Sequence, residues 1–62
     1  MTSKKHYVAV AKELDYLRQV FGDNEDSLLA VRSIAVGLAN IYQDENPRFD
    51  RERFMQACGL ED

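Results

Sequence analysis

The stretch NPRFDRERFMQACGLED, residues 46–62, carries the strongest local folding signals in this chain. Asn46 precedes Pro47, and a residue before proline is sterically disfavoured in helical geometry, so a helix upstream must end here. Asp50 is a favourable N-cap, because its carboxylate can accept a hydrogen bond from a backbone N–H of the first helical turn. The stretch therefore predicts the end of one helix and the start of another.

The helix that starts after Asp50 is short, and both of its ends are specified. Phe49 and Phe54 have the spacing of a hydrophobic staple, in which the residue before the N-cap packs on the fourth helical residue. Gly59 stands where a left-handed C-cap residue belongs, and Leu60 is placed to fold back on the last turn. The residues given structural roles are thus Phe49, Asp50, Phe54, Gly59 and Leu60, around a helix over about residues 51–58.

Upstream of Pro47, apolar residues recur every three or four positions, which is the period of an amphipathic helix. The first helix is predicted over about residues 3–21, with Thr2 or Ser3 as its cap. Gly22 is a natural stop, because glycine tolerates the left-handed conformation there. The apolar stripe consists of Tyr7, Val10, Leu14, Leu17 and Phe21, with Ala11 beside it.

The second helix is predicted over about residues 25–45, and its acidic start suits the positive end of the helix dipole. Its apolar stripe is wide enough to contact two neighbours and consists of Leu28, Val31, Ile34, Ala35, Leu38, Ala39, Ile41 and Tyr42. Gly37 lies inside this helix, at a cost of about 1 kcal/mol relative to alanine. Either the glycine is tolerated on an exposed face, or another backbone approaches it closely.

These signals predict an all-α fold: one domain over residues 1–62, in which a short C-terminal helix closes a pair of long antiparallel helices. A chain this short buries only about 60% of its unfolded surface, so its stability is marginal without further support. Cys58 is the only cysteine, which excludes an internal disulfide and is typical of a reducing compartment. Helix packing, self-association into a homodimer, or both must then supply the stability.

Composition and charge argue against several function classes. The net charge of -3 lacks the basic balance of a general nucleic-acid binder, and no apolar run is long enough to span a membrane. With His6 and Cys58 as the only soft ligands, we expect no metal or other cofactor, and Cys58 is expected to pack as a small hydrophobe. No catalytic set of side chains is evident. We therefore expect a cytoplasmic protein that is not an enzyme.

Basic residues near both ends form one candidate site. Arg48, Arg51 and Arg53 surround the start of the last helix, where backbone N–H groups favour anions. Lys4 and Lys5 lie in the first helix. The competing interpretation is local ion pairing on a solvated surface, since the same C-terminal stretch contains the acidic residues Asp44, Glu45, Asp50 and Glu52.

Apolar residues outside the main stripes form another candidate site. Tyr16 and Val20 lie roughly opposite the stripe of the first helix, and Leu29 and Val36 lie seven residues apart, away from the stripe of the second. The short third helix can cover one of these patches but not both. Because an uncovered apolar patch with a polar rim marks an interaction surface, these four residues are candidate anchors for a protein partner or a second copy.

Two motifs lie at the ends of the chain. Lys4-Lys5-His6-Tyr7 is a Lys-x-His-aromatic start, and residues 46–59 read Asn-Pro-x-Phe-Asp-x-x-x-Phe-x-x-Ala-Cys-Gly. Both motifs resemble those of small proteins encoded by tailed bacteriophages and prophages. The resemblance implies a viral origin and action in the cytoplasm of a bacterial host, and it brings no catalytic or binding residues with it.

The function expected from these observations is that of a small phage-type accessory protein. It would act as a non-enzymatic protein–protein interaction module and modulate a host or phage protein. The alternative is a nucleic-acid or nucleotide-binding accessory protein that uses the basic residues at the two ends of the chain.

Overall fold

Residues 4–60 are described by the computed structural model, and within them the chain forms three α-helices and no strand. The helices are α1 (Lys4–Val20), α2 (Glu25–Glu45) and α3 (Arg51–Ala57). Each helix packs against the other two, so the prediction of an all-α fold with three helices is confirmed. The caps expected at Thr2 or Ser3 lie outside the described residues.

The turn between α1 and α2 is closed by backbone hydrogen bonds. Phe21 N–H donates to Leu17 O at 2.9 Å, and Asn24 N–H donates to Phe21 O at 3.0 Å. Asn24 is also the N-cap of α2, because its side-chain oxygen accepts from Ser27 N–H at 3.1 Å. The expectation of a left-handed Gly22 is wrong, since this turn closes without a residue of positive φ.

The first turn of α1 lies beside the last turns of α2. His6 Nε2 and Tyr42 Oη are 3.2 Å apart, within hydrogen-bonding distance, and the two rings meet edge to face. Because the turn joins the other ends of the two helices, this contact is the one expected when they run in opposite directions.

The passage from α2 to α3 follows the local signals around Pro47. Asn46 is the C-cap of α2, and its carbonyl accepts from Phe49 N–H at 2.9 Å, which closes a turn. Pro47 occupies the second position of that turn, where its fixed φ is favoured. Asp50 then takes the N-cap position of α3, with Oδ1 accepting from Arg53 N–H at 3.0 Å.

The end of α3 is a Schellman motif. Gly59 has φ 76°, in the left-handed region. Its N–H donates to Gln56 O at 2.9 Å, and Leu60 N–H reaches back to Met55 O at 3.0 Å. These are the two hydrogen bonds that define the motif, and Leu60 and Met55 both pack against the core.

The core is thin along most of its length. Its five large buried side chains are Leu14, Val31, Tyr42, Phe49 and Phe54, and the remaining buried residues are Ala11, Ala35, Ala39 and Cys58. The four rings of Tyr7, Tyr42, Phe49 and Phe54, here called the aromatic cluster, have neighbouring centroids 4.7 to 5.7 Å apart. Such edge-to-face and tilted contacts add to the stability that area burial provides.

Three large residues of the predicted apolar stripes are exposed, which corrects the expected core. Phe21 lies at the turn, while Ile34 and Ile41 lie on α2 with 53% and 57% of their surface exposed. The physical reason is the size of the third helix. With only seven residues, α3 cannot cover a second side of α2, and the stripe is wider than the surface that α1 and α3 protect.

Candidate interaction surfaces

More large hydrophobic side chains are exposed than buried in the described part of the chain. Seven are exposed, namely Val8, Tyr16, Val20, Phe21, Leu29, Ile34 and Ile41, whereas five are buried. Single exposed apolar residues are normal. Groups of them that share one helix face are the ones that mark interaction surfaces.

The first group lies on α1. Tyr16 and Val20 are 59% and 54% exposed, and residues four apart on a helix are neighbours on its surface. Lys12 and Glu13, both exposed, lie one turn before Tyr16. The α1 face therefore has the apolar centre and polar rim expected of a docking surface.

Leu29 and Val36, the second pair of predicted anchors, have different environments in the structure. Leu29 is 61% exposed and lines a groove of about 460 Å³ at the turn end of the molecule, together with Leu28 and Leu60. Val36 is half-buried and does not line that groove. Leu29 is therefore available to a partner, and Val36 is partly covered by the chain itself.

A further apolar surface on α2 was missed by the sequence analysis. Ala30, Ile34, Gly37 and Ile41, here called the open face, are spaced four, three and four residues apart, so they share one side of the helix. Both isoleucines are exposed. Apart from the adjoining residues and the backbone of its own helix, no atom lies within 4 Å of the position that a Cβ on Gly37 would take. Of the two interpretations of Gly37, close approach of another backbone does not occur within the described chain.

The signal that could have found the open face is present in the sequence. The stripe of α2 spans too wide an arc for one short and one long neighbour, and its isoleucines lie on the edge away from Tyr42. Which edge stays uncovered depends on where α1 and α3 dock, and the pattern of α2 alone carries no information on that choice.

A groove between α1 and the start of α3 brings basic residues from both ends of the chain together. Lys4, Arg48 and Arg53 all line this basic groove, which has a volume of about 540 Å³. Asp50 lines it as well, so three positive charges face one negative charge. This juxtaposition of residues far apart in sequence is a result of the tertiary fold.

The other basic residues of the candidate site lie elsewhere. Lys5 is exposed on α1 and does not line the basic groove. Arg51 donates a hydrogen bond to Asn40 Oδ1 on α2, which ties α3 to α2. The local ion pairing considered as an alternative is not seen for Arg48 or Arg53 with any carboxylate in the described part of the chain.

The wall of the basic groove contains a buried polar group without a hydrogen-bond partner among the described residues. Tyr7 Oη is buried and has no hydrogen-bond partner among the described residues, which costs about 1–3 kcal/mol. Its neighbour Tyr42 has a raised pKa, mainly because of burial and further because of Tyr7 and Glu45. The Tyr42 hydroxyl therefore stays neutral at physiological pH.

Cys58 lies at the end of α3 and is fully buried. Burial, followed by the nearby Asp15 carboxylate, raises the pKa of its thiol to about 11. A thiol with such a pKa is almost entirely protonated at neutral pH and is a poor nucleophile. Cys58 therefore acts as a small core residue.

Among residues 4–60, no group of three or more His, Cys, Asp or Glu side chains is placed to hold a metal ion. Within the same residues, none of the three helices combines the length and the apolarity needed to cross a membrane.

Comparisons with known proteins add no relative. No protein-family model, no curated protein and no solved structure matches this chain.

Proposed function

We propose that this chain is a non-enzymatic interaction module that docks on a protein partner through exposed apolar helix surface. The observation that carries the proposal is that seven large hydrophobic side chains of the described residues are exposed, among them Tyr16 and Val20 on one face of α1. Removing apolar surface from water is favourable by about 25 cal/mol per Å². Burial of these side chains against a partner therefore contributes favourable free energy to association.

The α1 face is the surface best suited to a different protein. Tyr16 offers a large ring with a polar end, and aromatic residues of this kind are enriched among the anchors that dominate binding energy. Val20 extends the apolar contact by one turn, and Lys12 and Glu13 supply opposite charges at the rim. Leu29 adds a second exposed contact, at the groove beside the turn.

The identity of the partner is proposed from the resemblance of the two terminal motifs. Small accessory proteins of tailed phages act on host or phage proteins in the bacterial cytoplasm, so a bacterial or phage protein is the expected target. A fold by itself does not specify function, and the terminal motifs support only this origin.

A capture experiment with matched variants tests the proposal. Tagged wild-type chain, a Tyr16→Ser/Val20→Ser double variant and a Gln43→Ser control, at an exposed position of α2 outside the α1 face, are each incubated with bacterial lysate, and retained proteins are identified by mass spectrometry. A specific partner should be retained by the wild type and the control and lost by the double variant, whose circular dichroism spectrum should stay helical because both residues are exposed. Equal retention by all three, confirmed with the purified partner, would remove the α1 face from the proposal.

The basic groove supports a second candidate function, the binding of a phosphate-bearing nucleotide or nucleic acid. The observation that favours it is the convergence of Lys4, Arg48 and Arg53 on one groove. The net charge of -3 opposes it. Binding of a fluorescent oligonucleotide or nucleotide should weaken steeply with salt and drop with Arg53→Gln, while Lys5→Gln, outside the groove, should change it little. Absence of binding at low salt would eliminate this candidate.

A further inference from the structure

The open face of α2 has a pattern that is complementary to itself. Ala30, Ile34, Gly37 and Ile41 alternate small and large residues, and their spacing of four, three and four is the same read in either direction. When two copies of α2 are laid side by side in opposite directions, Ile34 faces Gly37 of the second copy. In the same register Ile41 faces Ala30 of the second copy, so every large side chain meets a small one.

We propose that a second copy of this chain docks on the open face, so that two α2 helices pack antiparallel about a twofold axis. A twofold interface requires that each residue pair occurs twice, once in each direction. The spacing of the open face meets that requirement at all four positions. The three- and four-residue intervals are also those of helix pairs that pack knobs into holes.

Gly37 gains a physical reason in this arrangement. A glycine inside a helix costs about 1 kcal/mol relative to alanine, and no atom outside its adjoining residues and its own helix backbone lies within 4 Å of its Cβ position. In the dimer, this space accepts Ile34 of the second copy and lets the two helices approach closely. Side-chain size at the contact sets the distance between helix axes.

The charge distribution along α2 favours the same occupant. Residues 33–43 contain no charged side chain, although 31% of the whole chain is charged. Depletion of charge is typical of the centre of a protein interface. Ser33 and Asn40, both exposed, flank the open face with uncharged polar groups. The Arg51 guanidinium, which donates a hydrogen bond to Asn40 Oδ1, is the charged group beside this rim, and α2 itself places no charge at the centre.

A dimer interface of standard size would occupy a large part of one side of this small molecule. A standard interface buries about 800 Å² on each partner, roughly one sixth of the 4648 Å² that this chain exposes. The molecule is 35 Å long and 17 Å wide, so an interface of this size would extend along most of the long side that carries the open face. A small domain with a thin core also gains stability from association. A second copy of the chain is present wherever the first one is, so this partner is always available.

Solution mass measured by light scattering over about 10 μM to 1 mM tests the proposal. The buffer should contain about 0.5 M salt, because the acidic ends of the two α2 helices approach each other in this arrangement and salt screens their repulsion. Wild type should rise toward twice the 7.1 kDa of the chain. Gly37→Glu should stay at 7.1 kDa throughout, since it places a charge and added bulk at the twofold axis.

Two controls separate loss of the dimer from loss of the fold. Gly37→Glu should keep its helical circular dichroism signal, because it replaces a helix-interior glycine that faces open space. Gln43→Glu makes the same charge change on an exposed position of α2 outside the open face and should dimerise like wild type. A wild type that stays monomeric, or a dimer that tolerates Gly37→Glu, would overturn the proposal.

A crosslinking experiment tests the antiparallel register. Ala30 and Ile41 are eleven residues apart, about 16 Å along a helix, and a disulfide needs Cα atoms within about 7 Å. Mixing Ala30→Cys with Ile41→Cys should therefore give an oxidised dimer, whereas each variant alone should not. Self-crosslinking of each variant alone would mean that the helices pair in parallel, contrary to the proposal. The buried native Cys58 stays as an internal control.

Discussion

The two sides of α2 carry side chains of similar hydrophobicity and have opposite environments. One side, with Val31, Ala35, Ala39 and Tyr42, is buried against the rest of the molecule. The other side is the open face, whose isoleucines are more than half exposed. The side that carries the two isoleucines is thus the one left in solvent.

The difference shows that the position of the neighbouring helices, and not hydrophobicity alone, decides which side of α2 is buried. The small residues Ala35 and Ala39 allow close approach on the buried side, and the aromatic cluster fills the space at its end near Tyr42. Because interiors are close-packed, the side that fits these neighbours best is buried, and a wide apolar stripe leaves a remainder outside.

The largest expected effect comes from the aromatic cluster. Phe54→Ala removes a ring that packs on Tyr42 and Phe49 at 5.7 and 5.5 Å, so we expect a loss of about 3–5 kcal/mol, enough to unfold a domain of this size. Leu29→Ala, on the exposed side, should change the free energy of unfolding by less than about 0.5 kcal/mol. Urea unfolding followed by circular dichroism measures both free energies. Similar losses of stability in the two variants would contradict the contrast between the buried and the exposed sides.

Two glycines give an intermediate effect of opposite sign. Gly59→Ala forces a side chain into the left-handed region, at about 1–2 kcal/mol, and its Cβ would lie against Arg18 Nε and 2.8 Å from Asp15 Oδ1. Gly37→Ala faces open space and should stabilise the monomer by about 1 kcal/mol. Thermal unfolding at low protein concentration measures both shifts, and a destabilised Gly37→Ala monomer would contradict an open face without neighbours.

The smallest effect concerns the pH dependence of stability at Cys58. Burial raises the pKa of this thiol from 9.0 to about 11 in the folded chain, so the unfolded chain loses its proton first. Stability is therefore unchanged below about pH 8.5 and falls as the pH rises toward 11, by about 1 kcal/mol at pH 10. Cys58→Ala should flatten this part of the profile, measured by urea unfolding between pH 8 and 10.5. An unchanged slope would place the titrating group elsewhere.

Local chemistry made much of the fold predictable. The cap at Asp50, the left-handed Gly59 and the Phe49–Phe54 contact each follow from interactions within a few residues, where φ preferences and single hydrogen bonds dominate. Helical periodicity predicted that Tyr16, Val20 and Leu29 lie outside the core. All three side chains are more than half exposed in the structure. Ile34 and Ile41 escaped prediction, because periodicity gives the apolar arc of a helix and not the part that neighbours cover.

The sequence by itself determined three helices, their approximate ends and the absence of an internal disulfide. The physical reason is that these features depend on residue type and local spacing. Only the tertiary structure decided that Lys4 joins Arg48 and Arg53 in one groove, and that the isoleucine side of α2 stays open. Both results depend on where a seven-residue α3 docks on the pair of long helices, and that position is set by the packing of side chains far apart in the chain.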